Sequence, residues 1–228
     1  LNGSGQDVPT PMGLAVADIL AGHNLVEGIL AAIIKRFKTK KGSHVETSLI
    51  EGLLDIQFEV LTTYFNDGFR KPERSKFNNA HAYLSAPYGI YETQDNYIAI
   101  ALTPLPQLGE LLESSYLKSL NDQKEWFTKR DEIKIQIGEI LKKKNTQSWL
   151  DILEPADIWC SEVLDWERML KHEGFKVLDM IQKITRSDGL DIETLRCPIR
   201  INNEIFKNEK AAPLIGQDTQ KIIEEFSL

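Results

Sequence analysis

One carboxylate stands apart by its surroundings. Asp18 interrupts an otherwise apolar run, Leu14-Ala15-Val16-Ala17-Asp18-Ile19-Leu20-Ala21-Gly22, which continues through Leu25, Val26, Ile29, Leu30, Ile33 and Ile34 to the basic pair Lys35-Arg36. An ionised carboxylate among apolar neighbours is costly unless it is paired or hydrogen-bonded. A group kept at that cost is a candidate nucleophile or proton-transfer residue. The same residue type has a structural use, because Asp is a favoured N-cap and its charge suits the positive end of a helix starting near Ile19. On residue type alone both readings stand. His23 falls about one helical turn beyond Asp18, where it either contacts the site or is a satisfied core histidine. His44 and His172 have no partner pattern and read as surface or structural residues. Cys160 and Cys197 lie far apart, lack metal-ligand spacing and read as inert buried thiols in a reducing cytoplasm.

The elements that must position Asp18 follow from periodicity. Apolar residues at helical spacing predict a helix over about 13–37, closed by the loop at Gly42. A short strand is expected at 44–47, and a helix over 48–65 on the spacing of Leu49, Leu53, Leu54, Phe58, Leu61 and Phe65. Residues 66–85 are polar, contain Asp67-Gly68 and Lys71-Pro72, and read as a linker. A hairpin over 88–101 opens a new unit, followed by helices at 105–112, 123–143 and 146–153, with Trp126 and Trp149 as core anchors. A strand at 158–163, a helix at 164–172 ended by Gly174, strands at 177–184 and 193–201, and a helix from Asp218 complete an α/β or α+β pattern.

Taken in order, the residues from Pro9 to Leu54 resemble the central segment of the family III CoA-transferases, the group of formyl-CoA transferase, CaiB and BaiF. The matching elements are Asp18 with Gly22, then Gly28-Ile29-Leu30-Ala31-Ala32, the basic turn ending at Lys41-Gly42, and Val45-Glu46-Thr47-Ser48-Leu49. Downstream, Ala86-Pro87-Tyr88-Gly89-Ile90-Tyr91-Glu92-Thr93-Gln94-Asp95-Asn96-Tyr97-Ile98-Ala99-Ile100 is similar to the family's proline-glycine-aromatic strand, turn and second strand. The usual Asp-Gly turn is Asp95-Asn96 here, and Asn is expected to supply the positive φ. Ala212-Pro213-Leu214-Ile215-Gly216-Gln217-Asp218-Thr219 resembles the family's carboxyl-terminal signature, so the likeness runs to Phe226.

The resemblance implies an α/β family III fold: a partial Rossmann-like large domain plus a small α+β domain. It places part of the large domain at 1–66, a linker at 67–85, the small domain at 86–201, and a linker and helix returning to the large domain at 202–228. It implies the carboxyl-terminal part of a longer enzyme, since no Gly-rich phosphate fingerprint precedes Asp18. It also implies an interlocked homodimer, with the amino-terminal segment supplied by the same or a companion chain. No bound cofactor is expected, with coenzyme A itself a substrate beside an acyl-CoA donor and a carboxylic acid acceptor. In the implied chemistry Asp18 is the nucleophile, passing through an acyl-aspartyl anhydride and an aspartyl-CoA thioester.

One departure concerns the acceptor. Formyl-CoA transferase covers its intermediate with a glycine-rich loop, whereas the corresponding stretch here, Asn78-Asn79-Ala80-His81-Ala82-Tyr83-Leu84-Ser85, has no glycine. An acid pair other than oxalate and formate is therefore expected, with His81, Tyr83 and Tyr88 either lining its pocket or simply packing. Two other activities remain open on this reading. One is a 2-methylacyl-CoA racemase using the Asp as acid or base, although Ile19-Leu20-Ala21-Gly22 lacks the glycine-rich stretch racemases tend to show. The other is a non-catalytic subunit.

Composition narrows the rest. The 228 residues carry a net charge of −7, which argues against nucleic acid, whose phosphates need a basic face. The cluster Lys35-Arg36-Phe37-Lys38-Thr39-Lys40-Lys41 reads as a helix carboxyl end complementing the dipole, with CoA phosphates the lesser alternative. Since His23, Asn24 and Glu27 interrupt the apolar run, no membrane span is expected and a cytoplasmic protein is.

Overall fold

The apolar run after Ala15 folds as a 24-residue helix, α1 (Val16–Thr39), in the computed structural model, which describes residues 2–77, 79 and 81–227. Ala15 occupies the N-cap and offers no side-chain acceptor. Asp18 is therefore not the cap; it sits in the first turn, where its charge still faces the positive helix end. The helix ends earlier than Gly42: Lys40 takes the left-handed conformation (φ 62°) and its N–H returns to the carbonyl of Arg36. By length and composition α1 is apolar enough to cross a membrane, with a mean hydropathy of 1.5 over its apolar window. The run is still interrupted as the sequence indicates, since Asp18, His23, Asn24 and Glu27 lie within the helix.

Two short helices follow where one was expected, α2 (Leu49–Asp55) and α3 (Phe58–Asn66). Ser48 and Glu51 form a reciprocal cap, the Ser48 hydroxyl oxygen accepting from the Glu51 N–H at 3.3 Å and donating to the Glu51 carboxylate at 2.6 Å. The break has a local cause. The Gln57 side-chain amide donates to the Leu53 carbonyl at 2.6 Å, taking the acceptor that a continuing helix would offer to the Gln57 backbone, whose N–H turns to Leu54 instead. Gly52 lets α2 approach α1 closely: a Cβ there would lie 3.2 Å from the Ala21 nitrogen. The segment 44–47, expected as a strand, pairs with no other strand among the described residues, and Val45 packs against Gly28.

Residues 86–158 hold the apolar core. Strands β1 (Gly89–Glu92), β2 (Tyr97–Ile100) and β3 (Cys160–Glu162) form an antiparallel sheet in that order, with Gly89 opposite Ile100 and Ile98 opposite Glu162. Period-2 alternation buries Tyr91, Ile98 and Ile100 and leaves Ile90 and Tyr97 exposed. Against the buried face pack α4 (Leu105–Leu111), α5 (Ser115–Ser119), α6 (Gln123–Thr128), α7 (Arg130–Leu141) and α8 (Thr146–Leu153). Lys129 separates α6 from α7, which sequence periodicity had joined. Trp126 and Trp149 are anchors as expected, their indole N–H groups donating to the Leu120 and Leu141 carbonyls at 2.8 and 2.7 Å.

The hairpin turn works differently from the expectation. Asn96 is not among the positive-φ residues. Its side-chain amide instead donates to the Glu162 carboxylate at 2.9 Å and the Val163 carbonyl at 3.0 Å, fixing β3 to the turn. Asp95 accepts from the Thr146 N–H and hydroxyl, both at 2.8 Å, and these bonds hold its carboxyl below the usual range.

The chain divides into two compact units, Leu1–Val163 and Leu164–Leu228. The second contains α9 (Trp166–Lys171), α10 (Glu173–Leu178), the hairpin β4 (Ile181–Thr185) with β5 (Asp191–Leu195), the small hairpin β6 (Arg200–Ile201) with β7 (Glu204–Ile205), and α11 (Thr219–Phe226). Gly174, expected to end a helix, lies in the first turn of α10, where its N–H donates to the His172 ring at 3.1 Å. Asn202 and Asn203 (φ 52° and 66°) supply the two left-handed residues of the β6–β7 turn. This unit is organised around a cation: Arg196 is buried and donates to the carbonyls of Leu178, Asp179 and Cys197 at 2.6, 2.7 and 2.5 Å.

Candidate functional site

Asp18 stands exposed in the first turn of α1, with no hydrogen bond or ion pair among the described residues. The apolar neighbours do not enclose it within this chain, since Leu14 and Ile19 are 66% and 51% exposed. His23 is likewise exposed rather than a satisfied core histidine. The first turn of α1 thus presents a carboxylate that no described residue engages.

A cleft of about 1540 Å³ opens elsewhere in the first unit, and it brings His81 and Tyr88 together. Asp18 and Tyr83 are not among its lining residues. Within the cleft, His81 is held by its neighbours. Its N–H donates to the Asn79 side-chain oxygen at 2.8 Å, and its Nδ1 accepts from the Tyr83 N–H at 3.2 Å. Its Nε2 lies 3.6 Å from the Glu59 carboxylate of α3. Tyr88 is at the mouth, 37% exposed. The Tyr83 ring stands edge-on to His81 at 6.4 Å, and its hydroxyl is buried without a partner among the described residues. Burial, then Asp67 and Tyr64, raise its pKa. Asn78 and Ala80 of the glycine-free stretch lie outside the described residues.

The stretch carrying these groups is stapled to α7. Arg130 donates to the Ala82 and Glu73 carbonyls at 2.9 and 2.5 Å, and its guanidinium lies 4.4 Å from the Phe127 ring centre. The Asp131 carboxylate accepts from the Lys76 N–H at 2.9 Å and lies 2.8 Å from the buried Ser75 hydroxyl. Lys134, 1% exposed, lines the cleft, and its ammonium reaches the Phe77 carbonyl at 3.4 Å. Burial, reinforced by Arg130 and opposed by Asp131, pushes its pKa down to about 8. Sequence reasoning missed Arg130, Asp131 and Lys134. The signal was present: 130, 133, 134, 137 and 141 share one helical face, so two basic residues occupy core positions of α7. Among the described residues no cluster suited to a metal ion occurs.

The family model for CoA-transferase family III matches residues 1–219. The chain belongs to CoA-transferase family III. A succinate–glutarate CoA-transferase from Agrobacterium fabrum is 25% identical over 235 residues, covering 99% of this chain and 57% of the relative. An α-methylacyl-CoA racemase from Homo sapiens is 24% identical, covering 98% of this chain and 57% of that protein. Among solved structures, a CAIB/BAIF family protein from Brucella suis superposes with a TM-score of 0.74 at 25% identity, covering 99% of this chain and 59% of the other. The mixed helix and sheet fold is that of family III, and the chain spans a little over half the length of these relatives.

Proposed function

We propose that this family III chain carries the nucleophile of a CoA-transferase, with Asp18 as that residue. The observation supporting this is an exposed carboxylate in the first turn of α1 with no partner among the described residues, at the position where the resemblance to the family implies the nucleophile. An Asp18 oxygen attacks the acyl-CoA carbonyl; the C–S bond breaks, leaving an acyl-aspartyl anhydride and CoA thiolate. The thiolate attacks the Asp18 carbonyl, releasing the donor acid and forming an aspartyl-CoA thioester. The acceptor carboxylate attacks that thioester and expels the thiolate, which then takes the acceptor's acyl group and regenerates Asp18. Each intermediate hydrolyses readily, so water must be kept out. The exposed apolar residues Ile19, Val26, Leu30 and Ile34 of α1 are the kind of surface that further protein covers. We assign that cover to an interlocked homodimer of the complete protein in the cytoplasm.

The test is intact mass with peptide mapping after incubation with succinyl-CoA or glutaryl-CoA. A CoA or acyl adduct on Asp18, absent in Asp18→Asn, is expected; an adduct elsewhere, or none, overturns the assignment. The racemase relative gives a second reading, in which Asp18 moves an α-proton. Deuterium incorporation at C2 of a 2-methylacyl-CoA without CoA exchange would favour it.

A further inference from the structure

Two buried donors that line the cleft are left short of acceptors among the described residues. Lys134 offers three N–H groups and, among the described residues, finds one acceptor, the Phe77 carbonyl at 3.4 Å. The Asn79 side-chain nitrogen is buried with no partner among the described residues, in a residue 8% exposed, while the oxygen of the same amide accepts from the His81 N–H. Both residues line the cleft, and the carbonyl that Lys134 touches is two residues from Asn79. The nearest carboxylate on α7 cannot complete the pair: Asp131 is spent on Ser75 and Lys76. Arg130, one turn away, adds a second positive charge. Lys142, the other cation in the lining, is already matched by Glu92 at 3.1 Å. An unsatisfied buried donor costs about 1–3 kcal/mol, and more when charged, so the arrangement favours whatever brings acceptor lone pairs to both.

We propose that Lys134 and Asn79 form a binding site for the carboxylate of an organic acid. A carboxylate supplies one negative charge to Lys134 and a second oxygen to the Asn79 N–H. A phosphate dianion suits the cleft less well, because Asp7, Glu59 and Glu139 also line it beyond the matched pair Lys142–Glu92, and their negative charge opposes a doubly charged ligand more than a singly charged one. If the CoA-transfer reading holds, on which this assignment of role rests, the group held here belongs to the acid substrate. A dicarboxylic acid then has one carboxylate for CoA and one for Lys134.

Binding is measured by calorimetry with glutarate alone, in the absence of CoA, so the result is independent of chemistry at Asp18. Lys134→Met and Asn79→Asp should each weaken glutarate binding on the order of tenfold or more; Asn79→Asp keeps the acceptor for His81 while replacing the donor with a negative charge. Thermal melts confirm that both variants remain folded, and Asn79→Asp carries the test alone if Lys134→Met does not fold. Inorganic phosphate serves as the second probe. Glutarate bound in preference to phosphate and lost in a folded variant supports the site. Equal binding of both anions, unchanged binding in the variants, or no binding by wild type overturns it. Failure of the Asp18 adduct with glutarate binding intact would sink the transferase reading and leave this site standing.

Discussion

Asp18 and Lys134 are opposite cases of a charge in a helix. Asp18 is exposed near the positive end of α1, so folding asks little of it: its dipole interaction is worth about 0.3–1 kcal/mol. Asp18→Asn should leave the melting temperature within a few degrees of wild type while transfer activity of the assembled enzyme falls on the order of 10³-fold or more. Equal losses of folding and activity would return Asp18 to a structural role. Lys134 is the reverse. Its pKa falls from 10.5 in the open chain to about 8 through burial beside Arg130, with Asp131 opposing. Between those two values the unfolded chain holds a proton that the folded one has released. Stability therefore rises as pH increases from about 8 to 10.5. Urea unfolding at several pH values should show that rise in wild type, while Lys134→Met is flat by comparison and at least as stable at pH 7. Parallel curves for the two proteins would refute the buried-ammonium argument.

Short elements here are set by side chains that a periodicity reading passes over. The hairpin strands, α4, α8 and the two indole anchors were legible from apolar spacing. The division at Gln57 was not, because a single amide competing for the Leu53 carbonyl leaves no trace in hydrophobic pattern. Nor was the role of Asn96, read for its backbone tolerance when its side chain does the work. The candidate site was legible only in part. His81, Tyr83 and Tyr88 were singled out beside a strand, but the α7 residues that staple them were hidden within what looked like an ordinary core helix. Gly109 tests how tightly the elements are joined: a Cβ there would lie 2.6 Å from the Lys118 nitrogen and 2.9 Å from the Leu117 side chain. Gly109→Ala should separate α4 from α5 at a cost of about 1–3 kcal/mol, read as a lower urea midpoint with the m-value unchanged. An unchanged midpoint would show that the α4–α5 approach is not close in solution.

At the scale of the chain, apolar burial is unevenly shared. Among the described residues, the buried apolar side chains all fall between Ala86 and Ile158. In α1 no residue is buried, and Val26, Leu30, Ile34 and Phe37 are 55–67% exposed. Contiguous apolar surface of this kind marks a contact face in a soluble protein. Its composition alone meets the length and hydropathy of a membrane-crossing helix, yet the family match and the close α1–α2 approach at Gly52 place it in a protein fold. The two accounts predict different responses to charge. Leu30→Lys with Ile34→Lys removes apolar area from α1 without touching the 86–158 core. If α1 offers a protein contact face, the double variant should bind less of an apolar fluorescent dye and self-associate less than wild type, with the same cooperative melt. If α1 is instead a membrane segment, wild type should partition into neutral lipid vesicles and the double variant should not. Vesicle binding by wild type would overturn the protein-contact assignment of this helix.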